Sequence, residues 1–263
     1  MRSLLAGLGR ADIRTAPFPH VVVSDALDPA VYRDLAAGFP SLERMTWQMP
    51  PEKVPNNRRY VMPASSVIDA PDLPVGWQDF ARLHSSPEFL TGVAALFQDY
   101  WPPALMAALG GQFEGHPISR LRMLGLPAEA GLLIGQDARL EVNTPVRDQP
   151  SSVRGPHLDT LNRLYSGLFY LRAPEDDSVG GELILYRWRH GPSADLGAFT
   201  QPADAVEEVV RIPYRANQFV LFPQNIHALH GVGVRHPTPH LRRYVFITAE
   251  LNRDWLAPLE GDA

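Results

Sequence analysis

The sequence predicts a mainly β protein with flanking α: a double-stranded β-helix (jelly roll) core with N-terminal helices packed outside it. Three observations point there. After about residue 115, short β-branched and aromatic runs follow one another between Gly, Pro and Asp clusters, with no helical stripe among them. Before it, apolar residues recur at helical spacing behind cap-and-proline starts. The 263 residues, 45% hydrophobic and 20% charged, have the composition of an ordinary globular chain. The expected organisation is a single domain over 1–263, with a helical part at 1–115 and the jelly-roll core at 116–255.

In order, Pro17-Phe18-Pro19-His20-Val21-Val22-Val23 reads as the first strand. Asp28-Pro29 is an N-cap followed by proline at the first helical position, and Val31, Leu35 and Phe39 give that helix its core face. Residues Ser41 to Ala70 are proline-rich and polar and read as a long loop, of the kind that forms lids and binding segments. Leu73 to Leu83 carries Trp77, Phe80 and Leu83 at helical spacing, Ser86-Pro87 starts another helix, and Pro103 to Leu109 a third short one. Extended segments are expected at Arg120 to Leu126, Gly131 to Ile134, Arg139 to Thr144, Gly167 to Arg172, Glu182 to Trp188, Val206 to Tyr214, Gln218 to Phe222 and Arg243 to Leu251.

Composition narrows the function classes. A net charge of −5 argues against a broad surface for nucleic acid. With no cysteine there is no disulfide, thiolate metal site or cysteine nucleophile. The N-terminus has too short an apolar run for a signal peptide, and no stretch nears the ~20 apolar residues of a membrane helix. A cytoplasmic protein with no membrane partner is the expectation; oligomeric state is not legible.

The chemistry gathers at Pro156-His157-Leu158-Asp159-Thr160. On an extended segment a His and an Asp two apart point to the same side. Joined by a distant histidine, they make the 2-His-1-carboxylate facial triad of non-haem iron(II) oxygenases, which leaves open positions on the metal. Two histidines could complete it, His227 and His230, in Ile226-His227-Ala228-Leu229-His230-Gly231. His20, His84, His116, His190, His236 and His240 lack a carboxylate at i+2 and read as structural or solvated.

The neighbourhood adds Leu168-Phe169-Tyr170-Leu171-Arg172, Gly180-Gly181-Glu182-Leu183, Gln218 to Phe222, His230-Gly231-Val232 and Arg242-Arg243-Tyr244-Val245-Phe246-Ile247. In that order, residues 139 to 250 resemble the iron(II)- and 2-oxoglutarate-dependent dioxygenases, in particular the prolyl-4-hydroxylase-like branch. The resemblance implies iron ligation by His157, Asp159 and His230, with His227 the exposed or supporting alternative. It implies an arginine for the distal carboxylate of 2-oxoglutarate at the start of the last strand. Arg243 and Arg242 compete for that place, since alternation lets only one point inward, and Arg243 is the expectation. Tyr170 would hydrogen-bond the same carboxylate and Leu183 would wall the pocket. Related halogenases replace the carboxylate with a small residue; the intact Asp159 implies a hydroxylase that consumes 2-oxoglutarate and O₂ and releases succinate and CO₂. The substrate class is small-molecule, amino-acid or peptidyl. Arg139, Glu141 and Asn143 alternate on one strand and are candidates for the mouth, and residues 41–70 and the insertion from Arg187 to Ala205 could frame the entrance. The competing readings are a non-catalytic jelly-roll binding protein and a zinc hydrolase on the same His-Asp-His set.

Overall fold

The computed structural model describes residues 1–121 and 131–257. Two antiparallel sheets face each other, and the helices cover the far side of the larger one. Its first strand, β1 (Val21–Val23), precedes α1 (Pro29–Ala37). Asp28 caps α1 by accepting from the Ala30 amide at 2.8 Å, and Leu35 is its buried residue.

Residues 41–70 depart from the expected loop. They contain α2 (Leu42–Met45), β2 (Arg59–Met62) and α3 (Ala64–Ile68). Ser41 starts α2 by accepting from the Arg44 amide, and β2 hides Tyr60 and Met62 on one face while turning Arg59 and Val61 to the other. Prolines at 50, 51, 55 and 63 mask this four-residue edge strand in the sequence, because they stop every neighbouring run short.

The remaining helices, α4 (Val75–His84), α5 (Pro87–Leu96) and α6 (Pro103–Ala108), lie where the periodicity places them. Ser86 caps α5 through the Phe89 amide at 3.2 Å. The strands that follow are β3 (Ile118–Arg120), β4 (Ile134–Asn143), β5 (Arg163–Tyr170), β6 (Leu183–Trp188), β7 (Val206–Ile212), β8 (Gln218–Pro223), β9 (His230–Val232) and β10 (Arg242–Leu251). β4 covers most of the segment expected at 139–144 but takes in only Ile134 of the one expected at 131–134. Of the segment expected at 120–126, residues 122–126 lie outside the described residues.

The larger sheet runs β1-β8-β5-β10-β4-β2, with β3 added to β4 in parallel, and the smaller runs β7-β6-β9. This is the jelly-roll arrangement the strand pattern predicts. Register fixes which residues share a face: Tyr244 lies opposite both Tyr170 and Glu141, and Asn143 lies opposite both Arg59 and Arg242. On the outer face, Phe80 of α4 stacks on Phe169 with centroids 5.7 Å apart, and Phe89 of α5 meets Tyr165. Each such aromatic burial contributes about 1.5–3 kcal/mol. Among the described residues, no helix is long and apolar enough to cross a membrane.

Candidate metal centre and anion pocket

Reciprocal backbone hydrogen bonds bring the two halves of the centre together. The His157 amide donates to the His230 carbonyl at 2.8 Å, and the His230 amide returns to His157 at 3.0 Å. That bridge ties the loop before β5 to β9 at the sheet edge. It needs a glycine at 231, because a Cβ there would sit 2.7 Å from the Gly155 carbonyl oxygen.

The result is a cluster of His157, Asp159 and His230, whose ligand atoms all lie within 4.8 Å of one another and are buried. Asp159 Oδ1 is 3.9 Å from His157 Nε2, and its Oδ2 is 3.7 Å from His230 Nε2. Each ring directs Nδ1 at a carbonyl: His157 at Gly155 O, 2.8 Å, and His230 at Ala228 O, 3.0 Å. A carbonyl only accepts, so both Nδ1 atoms carry the proton and both Nε2 lone pairs face Asp159. The Ser166 hydroxyl donates to Asp159 Oδ2.

Electrostatics favour the metal-binding protonation states. Burial, then repulsion with His230, lowers the His157 pKa well below its ordinary value, and burial also lowers that of His230. Burial alone would raise Asp159, but His230, Arg163, His157 and the Ser166 hydroxyl outweigh it and hold the carboxylate below its usual range. Neutral imidazoles and an ionised carboxylate are the forms a divalent cation takes. The donor set fits iron(II) in a facial arrangement.

His227 is exposed on the loop before β9, its amide tied to Asn225, and lies outside the cluster. None of the other histidines joins it. His20 and His84 are buried structural residues, and His116 caps the carbonyls of Leu109 and Gln112.

The two arginines face opposite sides, the reverse of the orientation expected from the sequence. Arg243 turns to the outer face, its guanidinium 5.6 Å above the Phe39 ring, and Arg242 faces the interior at 1% exposure. The reason is the pleat: Tyr244 shares its face with Tyr170 and Glu141, and Arg242 is two residues from Tyr244. The apolar set Val245, Ile247 and Ala249 faces the helices, while Arg242, Tyr244, Phe246 and Thr248 face the smaller sheet. That alternation of polar and apolar residues along β10 is the signal for which arginine faces the smaller sheet.

Arg242 Nη2 donates to the Tyr170 hydroxyl at 3.3 Å, and Nε to the Gly181 carbonyl at 2.9 Å. Tyr170, Tyr214 and Tyr244 surround the guanidinium at 5.1, 5.3 and 4.7 Å. It makes no ion pair with a carboxylate among the described residues. Gly180, at φ +92°, forms the turn that presents Gly181; a Cβ there would collide with the Val234 carbonyl. Leu183 is buried on the β6 face that also carries Leu185, opposite His230. Arg139, Glu141 and Asn143 face the same interior, and sequence reasoning had not singled out Ser166, Arg163, Tyr214 or Tyr244.

No family model matches the chain, and no curated protein matches it. Solved structures similar to it include a prolyl-4-hydroxylase from Pseudomonas putida, 15% identical over 94% of this chain and 100% of that one, TM-score 0.47. Another is the non-haem α-ketoglutarate-dependent epimerase SnoN from nogalamycin biosynthesis, 16% identical over 92% and 89%, TM-score 0.47. A third is a Trichoplax adhaerens prolyl hydroxylase in complex with a hypoxia-inducible-factor peptide, 12% identical over 88% and 83%, TM-score 0.43.

Proposed function

We propose that the protein is an iron(II)- and 2-oxoglutarate-dependent dioxygenase that hydroxylates an unactivated C–H bond of a small-molecule, amino-acid or peptidyl substrate. The observation that carries this reading is Arg242, a buried guanidinium without a carboxylate partner among the described residues, in the same interior as the three-donor cluster. An uncompensated buried cation is costly unless an anion joins it. A dicarboxylate that reaches both the metal and Arg242 removes that cost. A hydrolase on the same three ligands would leave Arg242 without a task.

His157, Asp159 and His230 would hold the metal on one face. Arg242, with the Tyr170 hydroxyl, would take the distal carboxylate of 2-oxoglutarate, and Leu183 would close the side of that pocket. Bound iron(II), with 2-oxoglutarate and O₂, supplies oxidative decarboxylation and C–H hydroxylation. The chain contributes orientation and water exclusion: Phe222 packs 4.9 Å from the His230 ring, and Leu183 and Leu185 line the interior.

The test is an oxygen-free titration of 2-oxoglutarate into iron(II)-loaded protein, followed by metal-to-ligand charge-transfer absorption. Wild type should saturate, and Asp159→Ala should give no band. Arg242→Gln should need about a hundredfold more 2-oxoglutarate, as expected for loss of a buried charged hydrogen-bonding partner. No band in the wild type overturns the function. An equal loss in Arg243→Gln, with Arg242→Gln unaffected, overturns the choice of arginine.

A further inference from the structure

A cleft of about 450 Å³ opens on the interior side of β2, β4 and β10, lined by Trp47, Arg59, Tyr60, Asp137, Arg139 and Glu250 among others. A relay of side-chain contacts runs from its wall to the metal centre. Glu250 pairs with Arg163 at 3.4 Å, and Arg163 also donates to Thr248. The Phe246 ring lies between the Arg163 and Arg139 guanidiniums, at 5.3 and 4.7 Å. Thr248 is opposite Ser166, the residue that donates to Asp159.

Most charges lining this cleft are already committed. Asp137 accepts from the Ala64 amide at 2.8 Å and lies 3.8 Å from Arg139. Both oxygens of buried Glu141 are taken, one by Arg139 Nε at 2.7 Å and the other by the Tyr244 hydroxyl at 2.6 Å. Two arginines of the lining are different: among the described residues neither the Arg58 nor the Arg59 guanidinium makes a hydrogen bond. Arg59, on the interior face, forms one ion pair, with Glu141 at 3.8 Å, and is 52% exposed. Directly across the β2–β4 pair stands Asn143, wholly buried, with Oδ1 on Arg242 at 3.5 Å and Nδ2 without a partner. Arg59 and Asn143 therefore leave donors unfilled on this side, beside the carboxylates of Asp137 and Glu250, which face Arg139 and Arg163.

One wall of the cleft is built against local preference. Trp47 and Gln48 both adopt left-handed backbone, φ +53° and +61°, which bulky residues rarely accept. The turn holds the Trp47 indole 63% exposed, edge-on to Tyr60 at 5.9 Å. The turn thus places a large flat ring in the lining of the cleft.

We propose that this cleft receives the primary substrate and that the substrate is a small carboxylate- or phosphate-bearing molecule. Arg59 is its anion anchor and specificity-determining residue, and Trp47 is the wall for its ring or apolar body. The inference rests on the metal centre being the reaction site. Its test does not: binding of phenylacetate, phenyl phosphate and neutral phenylacetamide is measured by ligand-observed NMR on metal-free protein, with salt at about 0.15 M to screen loose surface charge. The two acids should bind saturably and the amide much more weakly. Arg59→Gln should weaken the acids roughly tenfold or more, and Arg59→Lys, which keeps the charge, should recover part of that loss. Trp47→Ala should weaken phenylacetate more than acetate. A preference for phenyl phosphate identifies a phosphate ester and a preference for phenylacetate a carboxylic acid. No saturable binding of either acid, equal binding of the amide, or undiminished acid binding in Arg59→Gln overturns the proposal. Failure of 2-oxoglutarate to bind iron(II)-loaded wild type would instead sink the reaction assignment and leave the cleft result standing.

Discussion

Successive residues of β5 and β10 face two interiors that are equally dry and chemically opposite. Toward α4 and α5 the sheet presents Tyr165, Phe169, Val245, Ile247 and Ala249, all fully buried. Toward the smaller sheet it presents Ser166, Tyr170, Arg242, Tyr244 and Thr248, also buried. Burial alone therefore does not separate core from site. What separates them is the main kind of partner each face meets: rings and methyl groups outside, apart from the Tyr165 hydroxyl donating to Gln136, and hydroxyls and charges inside. The outer face supplies the apolar burial that holds the sheet, and the inner face holds polar groups that folding alone does not require.

The largest effect should come from crossing that divide at adjacent residues. Phe169→Ala removes a ring stacked on Phe80 and in edge contact with Tyr32, and should cost about 3–5 kcal/mol in urea unfolding. Tyr170→Phe keeps the ring and removes the hydroxyl that meets Arg242, so stability should change by only about 1 kcal/mol while 2-oxoglutarate binding weakens. If Tyr170→Phe proved as destabilising as Phe169→Ala, the two faces would not divide their tasks in this way.

A smaller effect separates the faces by pH. His84 is buried at the end of α4, stacked on Phe80 at 4.0 Å, with Nδ1 on the Phe80 carbonyl and Nε2 accepting from the Leu4 amide. Burial lowers its pKa to about 4. Between that value and the ordinary 6.5 the unfolded chain binds a proton that the folded chain refuses. His84 therefore contributes fully above pH 6.5, and its contribution falls as pH drops toward about 4, by about 3 kcal/mol in total. His20, His157 and His230 push in the same direction, whereas burial raises Asp137 to about 6 and pushes in the other. The informative quantity is thus the difference between wild type and His84→Gln, whose melting temperature should fall less on acidification. Identical pH profiles for the two proteins would remove His84 from this role.

Much of this division is written in the sequence as alternation. The helices followed from Asp28-Pro29, Ser86-Pro87 and the spacing of Trp77 and Phe80, because caps and apolar stripes are local signals. His157 and Asp159 were legible for the same reason, being two apart on extended chain. What escaped is non-local. β2 is four residues long and gains its hydrogen bonds from β4, eighty residues away, so no local run announces it. Which of Arg242 and Arg243 faces the smaller sheet depends on the register of β10 against β5, which the apolar residues of β10 alone do not give. They mark the side packed under helices, while the lined cavity takes the polar set.

The smallest effect tests whether Ser166 belongs to the metal centre or only to the sheet. Its hydroxyl donates to Asp159 Oδ2, the oxygen nearer His230, and Thr248 stands opposite it on β10. The bond holds the carboxylate in the rotamer that directs it at both imidazoles, and it stabilises the ionised form. Ser166→Ala removes one oxygen and leaves the β5 backbone unchanged, so thermal stability should move little. Affinity for manganese(II) or cobalt(II), measured against a competing chelator, should fall about tenfold, the low end for partners that orient metal ligands. Ser166→Thr, which restores the hydroxyl, should recover most of that affinity. An alanine variant with wild-type affinity would show that His157 and His230 alone fix the carboxylate, and Ser166 would then belong with the sheet.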